Sequence, residues 1–232
     1  EVLTAAEKAY HSDHASLSSV EGFIRQILGW REFVRLIHHH RMPEYVNSNS
    51  LNAQEDLPNF FWTGDTEMSC LNDCIQQTLS TGYNHHIQRL MVTGLYTLML
   101  GVNPKQVHEW FLSMYVDAVE WVEMPNVIGM SQFADGGVMG SKPYVATGKY
   151  INRMSNYCKS CRYDPSKSTG KEACPFTTLY WDFLDKHHEQ LRTNPRMSLQ
   201  LRNLERIEPL QLQLIKEQAA LIRQHGTVSL AA

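Results

Sequence analysis

The chain has 232 residues, of which 43% are hydrophobic and 19% are charged, a composition that is typical of a folded globular protein and excludes an intrinsically disordered one. A formal net charge of −3 gives no overall attraction to nucleic acid, but 21 Lys and Arg and 11 His are enough to form a local basic face. No apolar run reaches the length of a membrane span, and Glu1-Val2-Leu3-Thr4 has neither the cationic start nor the apolar core of a signal peptide, so we predict a cytosolic protein.

Helical periodicity dominates the chain, and alternating strand patterns are nearly absent, which predicts an all-α fold. Start signals at Ser18 or Ser19 and at Asn103-Pro104 support this interpretation, and the turn Ser80-Thr81-Gly82 separates two helices. The first residue is not Met and lies close to a helical pattern, so we expect a piece of a longer protein. The predicted helices cover residues 20–37, 66–79, 85–100, 104–121, 148–157, 177–191 and 197–224.

Two long segments, 124–149 and 163–175, have no clear period and are rich in residues that favour turns. Irregular segments of this length inside a compact domain are usually functional, so we expect the first to line a ligand and the second to wrap around a metal site. The last thirty residues carry Leu and Ile at helical spacing among charges and Gln, which predicts a surface helix over the body of the protein.

Five cysteines provide the clearest chemical signal. Three of them form the pattern Cys158-x2-Cys161-x12-Cys174-Pro175, and three thiols need a fourth ligand from elsewhere to complete a metal shell. Cys70 and Cys74 lie four residues apart on one face of a predicted helix, and their spacing does not show which of them donates. Zinc and an iron–sulfur cluster both remain open, although a cysteine followed by proline favours the cluster.

Two further segments carry a family resemblance. Residues 21–33 resemble the Arg-Gln-x-x-Trp-Arg-Glu-Phe helix of the photolyase and cryptochrome flavoproteins, with one residue inserted before Trp30. Residues 62–64 and 82–89 resemble that family's second signature, in which the pair His85-His86 marks a bacterial branch. This branch, the prokaryotic (6-4) photolyases with an iron–sulfur cluster, is similar to the chain over essentially all 232 residues, including 120–123 and 128–135.

The resemblance implies that residues 1–232 form a helical FAD-binding domain and that 158–174 are its cluster-binding segment. It implies light-driven repair of (6-4) pyrimidine photoproducts in UV-damaged DNA by electron transfer from reduced FAD. An α/β domain holding an antenna pigment, a lumazine, is expected outside this chain. It also implies a bacterial, cytoplasmic monomer, associated with the nucleoid when bound to DNA. The implied ligands of a 4Fe-4S cluster are Cys70, Cys158, Cys161 and Cys174, which leaves Cys74 free.

The same resemblance assigns roles to individual residues. His85 and His86 are the expected catalytic residues, and His86 is the expected proton donor because a histidine pKa lies near the working pH. Glu123 is expected to face flavin N5, where most photolyases have Asn, and Arg89 to pair with Asp117 beneath the ring. The expected cofactor-binding residues are Gln26, Trp30, Arg31, Arg89, Asp117, Glu123 and Asn126.

Trp62 and Trp110 are the expected electron-transfer residues. Val127 occupies the place of the usual third tryptophan, and Phe111 occupies a place where the branch often has tyrosine. The expected lesion-binding residues are Leu90, Met130, Tyr144 and Tyr150. A phosphate-contacting rim is expected at Lys142, Lys149, Arg153, Lys159 and Arg162, although a solvated face explains these charges equally well.

Two alternatives remain at the level of sequence. A cryptochrome-like photoreceptor would keep the fold, the flavin and the cluster but signal to a partner, and the pair His85-His86 favours repair over it. A structural iron–sulfur or zinc module that binds DNA would contain no flavin. An absorption spectrum separates the second alternative from the other two.

Overall fold

Residues 1–225 are described by the computed structural model, and in this range fourteen α-helices follow one another without a β-strand. The only extended pairings in this range are two isolated bridges, Glu55 with Val102 and Asp164 with Ala173. The predicted all-α class is therefore confirmed. The helices are α1 (Val2–His11), α2 (Leu17–Arg25), α3 (Phe33–Arg41), α4 (Phe60–Thr63), α5 (Ser69–Thr81), α6 (His86–Gln88), α7 (Leu95–Leu100), α8 (Pro104–Met114), α9 (Glu120–Pro125), α10 (Gly148–Met154), α11 (Pro175–Lys186), α12 (His188–Leu191), α13 (Ser198–Leu204) and α14 (Pro209–His225).

Three helices contain a π-helical segment. Gln26–Glu32 joins α2 to α3, Arg89–Gly94 joins α6 to α7, and Asn126–Ser131 continues α9. A π-helical turn accommodates one extra residue without ending the helix, and such turns are frequent at functional sites. Short 3-10 turns are found at Glu44–Asn47, Tyr157–Lys159 and Pro195–Met197.

The main core surrounds α11, which packs against α7, α10, α13 and α14. The largest of its fully buried side chains are aromatic, and they include Trp110, Tyr96, Phe61, Phe176 and Phe183. Ile215, Ala219 and Ile222 bury one face of α14, and a buried ion pair joins Arg223 of α14 to Asp182 of α11. The last helix thus lies over the body as predicted, and residues 226–232 of that prediction lie outside the described range.

Several predicted boundaries are wrong. The predicted helix 104–121 ends at Met114, and a turn through residues 115–119 precedes α9, which extends into the segment that we expected to be irregular. The predicted helix 197–224 is broken before Pro209, because proline disfavours helical backbone at the residue before it. The N-cap of α2 is Ser16, which accepts a hydrogen bond from the Ser19 amide at 3.4 Å, rather than Ser18 or Ser19.

Other local signals are confirmed. Asn103 caps α8 by accepting a hydrogen bond from the Lys105 amide at 3.0 Å, and Pro104 takes the first helical position. Gly82 ends α5 in the left-handed conformation with φ of 65°. In the described part of the chain, no helix is both long and apolar enough to cross a membrane.

Candidate functional site

The three π-helical segments meet at a cavity of about 240 Å³. Each segment contributes lining residues, and α8 and the turn before α9 close the remaining walls. The walls of the cavity differ in chemistry, and apolar groups from Val122, Val127 and Phe111 lie beside charged groups. Eight of the residues selected from the sequence line this one cavity: Trp30, His86, Arg89, Leu90, Asp117, Glu123, Asn126 and Met130.

Arg89 and Asp117 form the expected pair at the edge of this cavity. The two contacts measure 3.0 Å from Nη1 to Oδ1 and 3.1 Å from Nη2 to Oδ2, so the guanidinium binds both carboxylate oxygens. Arg89 Nε also donates to the Asn84 carbonyl at 2.8 Å, and the guanidinium lies 3.9 Å from the centre of the Tyr115 ring. These contacts hold the turn that carries Asp117 against the start of the helix that carries Arg89.

Glu123 reaches the cavity from α9 and is buried, with 9% of its side chain exposed. His108 of α8 lies behind it, with Nδ1 only 2.6 Å from Glu123 Oε2. The other carboxyl oxygen, Oε1, is buried and has no hydrogen-bond partner among the described residues. Burial raises the pKa of Glu123, and the hydrogen bond from His108 opposes that rise.

His108 was not among the residues selected from the sequence. A signal for it exists, because His108 falls on the same face of α8 as the buried residues Pro104, Val107 and Phe111. A histidine on the buried face of a helix needs a hydrogen-bond partner. Its partner is distant in sequence, however, and the spacing of residues within α8 does not identify it.

The structure separates the two adjacent histidines. His86 lines the cavity, whereas His85 is the N-cap of α6 and accepts a hydrogen bond from the Ile87 amide on Nδ1 at 3.2 Å. Gln88 completes a capping box by accepting a hydrogen bond from the His85 amide at 2.8 Å. Partial burial lowers the pKa of His86, and the neighbouring His85 and the positive charge of Arg89 lower it further.

Like His85, four of the residues expected to bind the cofactor or the lesion lie outside the cavity lining. Gln26 and Arg31 are exposed, and the Arg31 guanidinium lies 5.5 Å from the centre of the Trp121 ring. Tyr144 is 38% exposed, and Tyr150 lines a separate apolar groove together with His85. Among the residues of the expected basic rim, Arg162 pairs with Glu67 and Arg153 lies 5.7 Å from the centre of the Tyr150 ring.

Of the two selected tryptophans, Trp110 is buried in the main core and Trp62 is 53% exposed. The Trp110 ring lies 5.2 Å from Phe61 and 5.5 Å from Phe111, which in turn lines the cavity. Trp110 Nε1 donates to the Phe61 carbonyl at 3.2 Å. An aromatic path therefore leads from the core to the cavity wall.

A second, mainly apolar cavity is lined by four cysteines: Cys70, Cys158, Cys161 and Cys174. Gly148 also lines it, and a Cβ atom at that position would lie 2.6 Å from Cys174 Sγ. Burial raises the pKa of Cys70, and the neighbouring thiols raise it further. Thiolates gathered in an apolar space become stable when a cation is bound between them, so this donor set fits a metal group.

Among the described residues, no group of three or more His, Cys, Asp or Glu side chains is arranged to hold a metal ion directly. A set of four cysteines is the usual ligand set of a 4Fe-4S cluster, and it also suits a zinc ion.

Cys74 does not line the cysteine cavity. Its buried thiol donates to the Tyr157 hydroxyl at a sulfur–oxygen distance of 3.7 Å, and that hydroxyl also accepts from Gln88 Nε2 at 3.1 Å. Gln88 caps the helix that begins at His86, and Tyr157 precedes Cys158 in sequence. The cysteine segment is thus joined by hydrogen bonds to the helix start that carries both histidines.

Comparison with known proteins found two relatives. The chain is 56% identical over 198 residues to a (6-4) photolyase of Agrobacterium fabrum, and this match covers 85% of the chain and 39% of that protein. It is 30% identical over 98 residues to an uncharacterised protein of Acanthamoeba polyphaga mimivirus, covering 42% of the chain and 72% of the viral protein. No protein-family model matches the chain.

Proposed function

Because the chain belongs to the family of the prokaryotic (6-4) photolyases, we propose that it supplies the flavin-binding and catalytic part of an enzyme that repairs (6-4) photoproducts in DNA with light. The chain spans 39% of the length of the Agrobacterium relative, and the repair activity is that of the whole protein. In this proposal residues 1–232 form the helical FAD-binding domain. An α/β domain with a lumazine antenna belongs to the part of such an enzyme outside this chain.

The observation that carries the proposal is the convergence of charged, aromatic and apolar residues at the cavity between the three π-helical segments. The residues fit a flavin, because a buried carboxyl oxygen of Glu123 has no partner among the residues that the structure describes, and Trp30, Val122 and Val127 offer apolar surface to a ring. When bound, FAD supplies the light-driven electron. The Arg89–Asp117 pair orients Asp117 at the cavity edge, while Asn126 adds a polar group beside Glu123.

His86 is the group that moves a proton in this proposal. It lines the cavity beside Leu90 and Met130, which are the proposed contacts for the damaged base. Its pKa is lowered in the protein alone by partial burial, by the neighbouring His85 and by the positive charge of Arg89. Phosphate groups of bound DNA act in the opposite direction, because a nearby negative charge favours the imidazolium. DNA binding therefore prepares His86 to donate its proton.

The four-cysteine cavity is the proposed site of a 4Fe-4S cluster, held by Cys70, Cys158, Cys161 and Cys174. The cluster joins segment 158–174 to α5, and the ion pair between Arg162 and Glu67 supports the same junction. We assign it a structural role, since it fastens segments that are distant in sequence. Cys74 remains a buried thiol that is bonded to Tyr157.

The proposed DNA-binding face lies beside the groove that Tyr150 and His85 line. Lys149, Arg153 and Lys159 are exposed on the adjoining segments and offer charges for phosphate contacts. Tyr144 is partly exposed on the segment that leads to α10 and adds an aromatic surface for a base. Action as a monomer and association with the nucleoid through DNA belong to the same proposal.

The experiment compares two asparagine variants of the complete gene product loaded with FAD. An oligonucleotide with one (6-4) photoproduct is illuminated with blue light, and restored bases are counted by chromatography. We expect His86→Asn to slow repair by a factor of about 10²–10⁴, the usual contribution of a general acid. We expect His85→Asn to keep most of the rate, because asparagine is an equally good N-cap. Equal repair by the His86→Asn variant and the wild type would overturn the assignment.

The photoreceptor alternative shares the cavity and its flavin. His86 in the cavity wall favours repair, since a signalling protein needs no proton donor at that position. Absence of light-dependent repair by a wild-type protein that binds FAD would support the photoreceptor, and an absorption spectrum without flavin bands would support the flavin-free DNA-binding module.

A further inference from the structure

His108 and Glu123 form a buried pair that none of the roles described above requires. The side chain of His108 is 5% exposed and that of Glu123 is 9% exposed, and Nδ1 lies 2.6 Å from Oε2. The histidine belongs to α8 and the glutamate to α9, two helices that pack against each other. A contact as short as this one between buried titratable groups shares a proton, which sits on the carboxyl oxygen or on the ring nitrogen.

The two oxygens of Glu123 differ in their surroundings. Oε2 is engaged by His108, whereas Oε1 is buried without a partner among the described residues. An unpaired buried oxygen is costly, so a native structure retains one where a ligand or a proton satisfies it. Because Glu123 lines the cavity, a ligand in the cavity is the natural partner of Oε1.

We propose that His108 is a positioning residue for Glu123: it fixes Oε2 and exchanges a proton with it, so that Oε1 is held ready to exchange hydrogen bonds with the group in the cavity. This inference rests on the proposed function, because the group in the cavity is the flavin. Transfer within the pair breaks the O–H bond at Oε2 and forms the N–H bond at Nδ1. No electron is gained or lost, and the total charge of the pair is unchanged.

Among the groups around Glu123, His108 has the largest effect that lowers the pKa of its carboxyl group. Burial raises the pKa of Glu123 most, and the His108 hydrogen bond is the largest influence that lowers it. Glu120 on the same helix raises it, and Arg89 from across the cavity lowers it. Helix α3 also packs against α9. On α3, Arg35 is paired with Glu32, and His38, His39 and His40 lie in the last turn.

The alternative is that the pair only fastens α8 to α9. The two roles differ in what they predict for a residue that keeps the hydrogen bond but takes no proton. Asparagine can place an amide N–H where Nδ1 lies and cannot accept a proton from Glu123. Leucine removes both functions and keeps the site apolar.

The experiment measures the protonation of Glu123 by infrared spectroscopy of the flavin-free complete gene product between pH 4 and 9. The Glu123 band is assigned by its disappearance in Glu123→Gln. We expect His108→Leu to keep the carboxyl protonated to a pH at least about one unit higher than in the wild type, a tenfold change in proton affinity. We expect His108→Asn to shift it less, because the amide still stabilises the carboxylate.

The matched control is Glu109→Gln, which changes the exposed neighbour of His108 on the same helix. An unchanged Glu123 titration in His108→Leu, equal to that of the control, would overturn the proposal. If His108→Leu does not fold, the His108→Asn variant provides the test. A Glu123 titration in that variant identical to the titration in the wild type would contradict a role for His108. A wild-type protein that never binds FAD refutes the proposed function instead, and leaves the titration of the pair unaffected.

Discussion

Replacement of Gly94 by alanine tests whether the contact between two π-helical segments shapes the cavity. A Cβ at position 94 would lie 2.3 Å from Ser131 Oγ and 2.7 Å from the Arg89 carbonyl oxygen. The serine hydroxyl can rotate away, at the loss of the hydrogen bond that it accepts from Gln132 Nε2 at 3.0 Å. The Arg89 carbonyl is backbone of the same π-helical segment as Gly94 and cannot turn aside, so the backbone of this segment has to shift.

The magnitude follows from two opposing effects. Overpacking of a tight site costs about 1–3 kcal/mol. Alanine in place of glycine stabilises a helix by about 0.5–1 kcal/mol. We therefore expect Gly94→Ala to lower the free energy of unfolding by up to about 2.5 kcal/mol. We also expect weaker FAD binding, because the shift moves Arg89 and its partner Asp117 at the cavity edge.

The assay is urea unfolding followed by circular dichroism, with a fluorescence titration of FAD on the same samples. The matched control is Gly22→Ala in α2, where a Cβ meets no atom within 4 Å. That variant should be more stable than the wild type by about 0.5–1 kcal/mol, since only the helical gain applies. If Gly94→Ala proves as stable as Gly22→Ala, the close contact between the π-helical segments does not exist and the reasoning is refuted.

Three further predictions concern the cysteine cavity, His86 and Tyr157. In the complete gene product, Cys70→Ser should lose the iron and Cys74→Ser should keep it, because Cys70 lines the cysteine cavity and Cys74 does not. Iron analysis measures both variants, and equal iron contents would contradict this ligand set. The ring of His86 should titrate below its ordinary value by NMR in the flavin-free protein, so that it is neutral at pH 7, because partial burial lowers its pKa. A midpoint at or above 6.5 in the wild type would be the wrong sign. Tyr157→Phe should lower the free energy of unfolding in urea by about 0.5–1.5 kcal/mol, because the hydroxyl loses its hydrogen bonds with Gln88 and Cys74. A variant as stable as the wild type would show that these hydrogen bonds are not formed.

Periodicity in the sequence was sufficient for the helical class, because most helices here bury one apolar face. It was insufficient at residues 115–119, where the apolar pattern continues through a turn. That turn places Asp117 within reach of Arg89, a contact between residues 28 positions apart that no local pattern encodes. The one-residue insertion before Trp30 was visible in the sequence, and the structure accommodates it in a π-helical segment.

The site residues also include some that the sequence identifies and others that only a contact with a distant segment identifies. Residues on helix faces, such as Arg89 and Glu123, could be selected by resemblance, and the structure brings them to one cavity. Cys70 and Cys74 share a helix face, and only the packing of the distant cysteine segment distinguishes them. His108 could not be selected, because its significance lies in a contact with another helix.

The most direct test of the account is to fill the cavity at Val122, which lines it from α9. The absorption spectrum of the complete gene product should show flavin bands in the wild type and in Val122→Ala. In Val122→Trp these bands should disappear, while the iron content and the helical circular dichroism remain. Flavin bands of wild-type intensity in Val122→Trp would contradict the claim that this cavity is the flavin site.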